Sequence, residues 1–255
     1  MLGFNKYIFL ILIFVVSGCS DSPLNSPYVK NVKNEKVFYS SFQERPKHLD
    51  PARSYSSNEY AFLAQIYEPL FQYHYLKKPY QLIPLTAKKM PSMEYLDKNL
   101  NITINNENRV YVKYTLRIKD GILYQNHPAF YKNENGFLYH TLTKDFLKKI
   151  ETIKDFKKES TRELIADDYI YQIKRLADYK NHSPISGVMQ EYILGFSEYK
   201  EKVGSLKNFN SPERINYIRT NSIKGVQKID DYTFSIILKK EYPQFVYWLA
   251  MPFFS

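Results

Sequence analysis

Two segments of the chain predict β-strands: in the first, hydrophobic and polar residues alternate with the period of two that is typical of strands, and the second is a largely apolar segment that follows a turn. Residues 110–119 (VYVKYTLRIK) form the first segment, and its apolar side carries Val112, Tyr114, Leu116 and Ile118. Residues 232–239 (YTFSIILK) form the second. Asp120-Gly121 follows the first segment and Asp230-Asp231 precedes the second, and both pairs are typical of turns. The pattern therefore predicts two strands bounded by tight turns.

Other segments repeat their apolar residues every three or four positions, as amphipathic helices do. The strongest such segment is 166–179, with its apolar face formed by Tyr169, Ile170, Ile173, Leu176 and Ala177. The same spacing predicts helices over 59–71, 189–201 and 244–249. We expect Asn58 to be the N-cap of the helix over 59–71, with Glu59 on its polar side. Strands and helices mixed at this spacing predict an α/β or α+β body.

The first residues of the chain have the three parts of a bacterial signal peptide. Lys6 is the only charge before Asp21, and residues 7–16 are apolar. Ten apolar residues are too few to cross a bilayer, which needs about 20 in a helix. Small residues follow them, which suits a cleavage site. We therefore predict a signal peptide over residues 1–18.

Residues 16–19 (VSGC) resemble the bacterial lipobox. This resemblance implies cleavage before Cys19 and acylation of Cys19, which would anchor the chain to a lipid membrane. The alternative is an N-terminal hydrophobic helix that ends in a buried free cysteine. Residues 19–34 are rich in Ser, Pro and Asn without apolar periodicity, and they predict a flexible tether. The folded domain is then expected over residues 35–255.

Composition narrows the classes of protein that are possible. The 255 residues include 42 aromatic residues, too much apolar surface for a disordered chain, and the single cysteine excludes an internal disulfide. The 36 Lys and Arg exceed the 26 Asp and Glu by ten, but the longest basic runs are pairs. A nucleic-acid groove normally clusters its positive charge on one face, so we expect a lysine-rich solvated surface and no nucleic-acid partner.

No pattern in the sequence indicates catalysis or a bound cofactor. The eight glycines form neither a dinucleotide-binding nor a phosphate-binding loop, and the five histidines include no pair at metal-ligand spacing. No Gly-x-Ser-x-Gly nucleophile elbow is present. We therefore expect a protein that is not an enzyme and that needs no metal or other cofactor.

Four sequence blocks, in order, resemble solute-binding proteins of bacterial ABC transporters. The first runs over 42–86 and includes Leu49-Asp50-Pro51, the segment YEPL at 67–70 and LIPLT at 82–86. The others are YTLR with KDGI at 114–122, ADDY with KRL at 166–176, and VQKIDDYT at 226–233. Their order and number resemble solute-binding family 5, and most closely its oligopeptide-binding branch.

This resemblance implies a fold and a function. The fold is an α/β clamshell of the periplasmic-binding-protein type II class, of which this chain would form mainly the first lobe. The function is capture of an oligopeptide and its delivery to permease subunits of an ABC importer in the inner membrane. The implied location is the bacterial cell envelope, where a monomer held by its lipid anchor faces the periplasm. Backbone groups of such a cleft pair with the peptide as an added strand.

The resemblance also implies ligand-contacting residues in the loop that follows Leu49-Asp50-Pro51. By position these are Tyr55, Ser57 and Asn58. Tyr55 could stack or donate through its hydroxyl, Ser57 could offer backbone groups, and Asn58 could bind the ligand or cap the helix. The alternative for this segment is an ordinary polar entry to a helix. We expect Tyr67 and Tyr73 in the core rather than in the cleft.

The end of the sequence departs from the family pattern. Family members continue beyond it, whereas this sequence stops after an apolar stretch over 245–254 that would normally be buried. We therefore expect a truncated first lobe, which alone binds peptide weakly or not at all. The alternative is a stand-alone envelope lipoprotein with a scaffolding or adhesive role through its aromatic surface.

Overall fold

The computed structural model describes residues 40–206, 208 and 210–255, and these form a mixed α/β fold. The strands are β1 (Phe71–Tyr73), β2 (Leu82–Pro84), β3 (Ser92–Leu96), β4 (Tyr111–Arg117), β5 (Lys132–Asn133), β6 (Gly136–Phe137), β7 (Val226–Asp230) and β8 (Thr233–Leu238). The helices are α1 (Ser57–Ile66), α2 (Lys144–Leu147), α3 (Ala166–Ala177), α4 (Ser186–Tyr192), α5 (Phe196–Ser205), α6 (Pro212–Thr220) and α7 (Phe245–Trp248). The predicted mixture of strands and helices is therefore confirmed.

Four antiparallel strands form the main sheet in the order β3-β4-β8-β7. Thr115 of β4 lies between Ser92 of β3 and Ser235 of β8. Buried and half-buried residues alternate along β4, because one face of this strand lies against the core, whereas every residue of β8 is buried. Both predicted strands are confirmed, β4 three residues shorter than its predicted segment and β8 two residues shorter.

The predicted turns are confirmed as well. At the β7–β8 turn the backbone N–H of Tyr232 donates to Oδ1 of Asp230 at 2.8 Å. Gly121 follows β4 with φ of +79°, in the left-handed region that glycine enters without steric cost. Both turns thus have the residue types that their geometry needs.

Helix α3 packs against β7 and β8, and α4 and α5 pack beside it. Its predicted apolar face is buried in full, and the ring of Tyr169 stacks on Phe234 of β8 with centroids 6.0 Å apart. Its first turn is capped by Asp168, whose carboxylate accepts the N–H of Ile165 at 3.0 Å. The helical period of this segment therefore predicted the main layer that covers the sheet.

Two predicted helices differ from those observed. The helix over 59–71 begins at Ser57 and ends at Ile66, and Phe71 belongs to β1. The residue before a proline avoids helical backbone, so Pro69 disfavours continuation through Glu68. The helix over 189–201 is two helices, α4 and α5, separated at residues 193–195.

The apolar segment over 245–254 is largely buried, as predicted. It contains α7 and a short 3-10 turn over Pro252–Phe254 that contacts α1 and α3. The buried residues of this segment are Phe245, Leu249, Ala250, Pro252, Phe253 and Phe254. Residues Glu44–Ser255 thereby form one compact unit.

Candidate functional site

The predicted ligand-contacting loop is held at its helical end by Glu59. This carboxylate is only 4% exposed, and its Oε1 accepts the backbone N–H groups of Lys47 at 3.1 Å and His48 at 2.9 Å. Its Oε2 accepts the N–H of Ser56 at 3.5 Å. Burial alone would raise the pKa of Glu59, but the accepted hydrogen bonds outweigh it and the net pKa is lowered. Glu59 is therefore a buried anchor, and its prediction as a residue of the polar face was wrong.

Asp50 holds the other part of the loop to helix α3. Its Oδ2 lies 2.6 Å from Nη2 of Arg175, and its Oδ1 accepts the N–H of Ala52 at 3.0 Å. Arg175 also donates to Gln172, whose amide donates to the carbonyl of Phe253 at 2.9 Å. One chain of hydrogen bonds thus joins the loop, α3 and the turn over Pro252–Phe254.

Of the candidate ligand residues, Tyr55 lies in this anchored loop, and Ser57 and Asn58 lie where α1 begins. Tyr55 is 74% exposed, and its ring centroid lies 6.1 Å from that of Phe253. Ser57 is exposed and Asn58 is half-buried, and both lie in the first turn of α1. The three lie close together in sequence, within residues 55–58. Their exposed groups can stack with a ligand or form hydrogen bonds to it.

The N-cap of α1 is Ser56 and not Asn58, which corrects the predicted cap. The sequence did contain a signal for this, since Ser56-Ser57-Asn58-Glu59 has the Ser-x-x-Glu spacing of a capping box. Cys19, the predicted signal peptide and the predicted tether lie outside the described residues.

An exposed group of tyrosines near this loop was not predicted. The ring centroid of Tyr73 lies 6.1 Å from that of Tyr80 and 6.2 Å from that of Tyr247, on which it stacks. Burial and the neighbouring Tyr247 and Tyr60 raise the pKa of Tyr73. We call Tyr60, Tyr73, Tyr80 and Tyr247 the tyrosine face. Tyr67 and Tyr73 are both substantially exposed, so their prediction as core residues was wrong.

Residues 40–206, 208 and 210–255 contain no cluster of three or more His, Cys, Asp or Glu side chains suited to hold a metal ion. No helix within those same ranges has the length and apolar character needed to cross a membrane.

No protein-family model matches the sequence, and no curated protein matches it. Several solved structures, however, are similar to this chain. The chain is similar to the murein tripeptide-binding protein of Escherichia coli, with 16% identity over 84% of this chain and 29% of that one, at a TM-score of 0.49. It is similar to a periplasmic oligopeptide-binding protein of Borrelia burgdorferi, with 15% identity over 82% and 29% of the two chains, at a TM-score of 0.47.

The chain is also similar to the pheromone receptor PrgZ, which was solved to study its mode of peptide binding. The two are 18% identical over 81% of this chain and 27% of PrgZ, at a TM-score of 0.46. This chain therefore spans less than a third of the length of each of these structures. In fold it is a mixed α/β body similar to part of these binding proteins.

Proposed function

We propose that this chain is part of the α/β clamshell of an extracytoplasmic peptide-binding protein that delivers oligopeptides to an ABC permease. The observation that carries the proposal is the segment over 46–58, which comprises the loop before α1 and the first two residues of that helix. Glu59 and the Asp50–Arg175 ion pair hold its backbone, while the Tyr55 ring stays exposed. A loop held in place before binding loses less conformational freedom when it binds, which favours affinity.

Each candidate residue has a proposed role on the peptide. Tyr55 stacks on a side chain or donates its hydroxyl, Ser57 presents backbone groups, and Asn58 offers its amide. Backbone pairing of the added-strand kind is insensitive to peptide sequence, and bridging waters accommodate different side chains. The sequence blocks that resemble family 5 support this function, and the similar solved structures are themselves described as peptide-binding proteins.

A photo-crosslinking experiment tests the proposed contact. The full chain is exposed to a pool of tri- to pentapeptides that carry a photoreactive group, and crosslinked residues are mapped by mass spectrometry. We expect saturable crosslinks within 54–58 and near Phe253. Tyr55→Ala should lower their yield about fivefold, the effect of losing roughly 1 kcal/mol at a binding contact.

Tyr75→Ala is the matched control, because Tyr75 is 96% exposed on the connection between β1 and β2. Equal loss in both variants, or crosslinks without preference for 54–58, would contradict the proposed contact. Calorimetry with the same pool tests the expectation that a partial clamshell binds peptide weakly. Submicromolar binding by this chain alone would contradict that expectation.

We further propose that Cys19 carries the lipid anchor and that the anchored monomer faces the periplasm. Mass spectrometry of the N-terminal peptide should find acylated Cys19, and membrane fractionation should find the protein with the membrane. Cys19→Ala should move it to the soluble fraction. An unmodified Cys19 in a soluble wild-type protein would contradict the anchor.

The tyrosine face favours one second candidate, an envelope lipoprotein that scaffolds or adheres through its aromatic surface. Tyrosines are enriched where proteins meet other molecules, because each offers a large ring and a polar hydroxyl. The reading frame downstream discriminates the two candidates: second-lobe sequence in frame supports the clamshell, and its absence supports the stand-alone protein.

A further inference from the structure

A cleft of about 500 Å³ lies between α3, the short 3-10 turn Tyr179–Asn181 and helices α5 and α6. We call it the basic cleft, because its lining includes five cationic side chains: Lys174, Arg175, Lys180, Arg214 and Arg219. Only one carboxylate, that of Asp178, lies among its lining residues. Its volume is within the range of small-molecule sites, and Ile215 and Ile218 add apolar surface.

The single carboxylate of the basic cleft is already engaged. Nη2 of Arg214 donates to both carboxylate oxygens of Asp178 at 2.7 Å, and the backbone N–H of Lys180 donates to its Oδ1 at 3.0 Å. Lys174 instead donates its ammonium to the carbonyl of Ile218 at 2.9 Å. Burial lowers the pKa of Lys174, which reflects a cation with little compensating charge. Arg175, also in the lining, is paired with Asp50, which lies outside it, at 2.6 Å. Two carboxylates thus pair with cations of the cleft against five cationic side chains, and the formal charge around it is positive.

A second observation in the same cleft is independent of that charge. Tyr199 lines the cleft and is only 4% exposed, and its hydroxyl has no hydrogen-bond partner within the described part of the chain. A buried hydroxyl without a partner is unfavourable, so natural proteins normally satisfy it with a protein group, water or a ligand. An anionic oxygen is the acceptor that this donor and the surrounding cations would share.

We propose that the basic cleft binds a small organic anion through its phosphoryl or carboxylate oxygens, with Tyr199 as the buried donor and Arg219 as the cation at the rim. Guanidinium groups match the geometry of both anions, and hydrogen bonds to a charged acceptor are stronger than neutral ones. The basic cleft is linked to the 46–58 segment through the Arg175–Asp50 ion pair, but its proposed ligand contacts, Tyr199 and Arg219, lie outside that segment and do not depend on the proposed peptide function.

Calorimetry of the full chain with inorganic phosphate and with succinate tests the proposal at ionic strength matched with chloride, which removes general screening effects. We expect saturable binding of at least one probe, and the probe that binds identifies the oxygen chemistry. Tyr199→Phe removes only the hydroxyl and should weaken binding about tenfold or more. Arg219→Gln, at an exposed position, should weaken it similarly.

Lys202→Gln is the matched control, since Lys202 is an exposed cation of α5 outside the cleft lining, and it should leave affinity unchanged. Absence of saturable binding by both probes would overturn the proposal. So would binding that Tyr199→Phe and Arg219→Gln leave unchanged, or that Lys202→Gln weakens equally. If Tyr199→Phe fails to fold, the comparison of Arg219→Gln with Lys202→Gln decides alone.

Discussion

Two carboxylates hold the candidate loop, and each has a different set of hydrogen-bond and ion-pair partners. Glu59 accepts backbone N–H groups from the preceding segment, whereas Asp50 combines a local backbone hydrogen bond with an ion pair to Arg175 of α3. Hydrogen bonds to an ionised acceptor contribute more than neutral ones, and a buried group that loses its partner is costly. Stability and site geometry therefore depend on the same side chains.

Asp50→Ala should destabilise the fold by about 1–3 kcal/mol, because it leaves the partly buried Arg175 guanidinium without its carboxylate. Urea unfolding measures the change. Lys148→Ala, which breaks the exposed Lys148–Asp145 pair, should cost less than about 0.5 kcal/mol. Equal losses of stability in the two variants would mean that the Asp50–Arg175 pair contributes no more than an exposed ion pair.

Glu59→Gln should reduce stability by about 1–3 kcal/mol at about pH 7, through the loss of a charged acceptor. The pKa of Glu59 in the folded protein lies below its ordinary value of 4.5, so its stabilising contribution exists above that value and is lost as pH falls through the folded pKa. The difference in the free energy of unfolding between wild type and Glu59→Gln should therefore become smaller in acid. Urea unfolding as a function of pH measures it, and a gap independent of pH would contradict this assignment.

Backbone geometry explains why one predicted helix is two. Gly195 precedes α5 with φ of +78°, and a Cβ there would lie 2.5 Å from Cβ of Lys224. Ile193 forms a bridge to Leu238 of β8 just before it. The helical spacing of apolar residues continues across residues 193–195 without a break, because the apolar residues on both sides are buried. The break depends on a close approach between segments about 30 residues apart in sequence, which a local pattern does not contain.

Gly195→Ala should destabilise the protein by about 1–3 kcal/mol, because alanine meets both a left-handed backbone and a collision with Lys224. Gly187→Ala is its control in α4, where a Cβ meets nothing within 4 Å and φ is not positive. There alanine should stabilise by about 0.4–1 kcal/mol. Thermal unfolding measures both, and the same sign for the two would contradict the explanation.

Contacts between residues far apart in sequence hold the folded unit together. The turn over Pro252–Phe254 packs on α1 and α3, and the β7–β8 hairpin pairs with β4. Phe254 is buried and meets Phe245 edge-on with ring centroids 6.2 Å apart. The last apolar segment is thus an integral part of the core.

Phe254→Ala should cost about 3–5 kcal/mol, the usual effect of emptying a buried aromatic position. Tyr75→Ala, at an almost fully exposed ring, should change stability by no more than about 0.5 kcal/mol. Chemical unfolding of the two variants provides the measurement. A small effect at Phe254 would show that the turn contributes little to the core.

Local sequence patterns sufficed to predict β4, β8, α3 and their turns. In β4 and α3 a repeated apolar spacing coincides with one buried face, whereas every residue of β8 is buried and its segment is largely apolar. The loop after Leu49-Asp50-Pro51 was expected from the family resemblance, and the structure adds that Ser57 and Asn58 belong to α1. Tertiary structure decided which polar groups are buried and which aromatic residues are not. Glu59 is buried because N–H groups of residues 47 and 48 converge on it, and the tyrosine face stays exposed because nothing among the described residues covers it. The basic cleft has the same origin: its cations come from α3, the 3-10 turn and α6, and only folding brings these elements together.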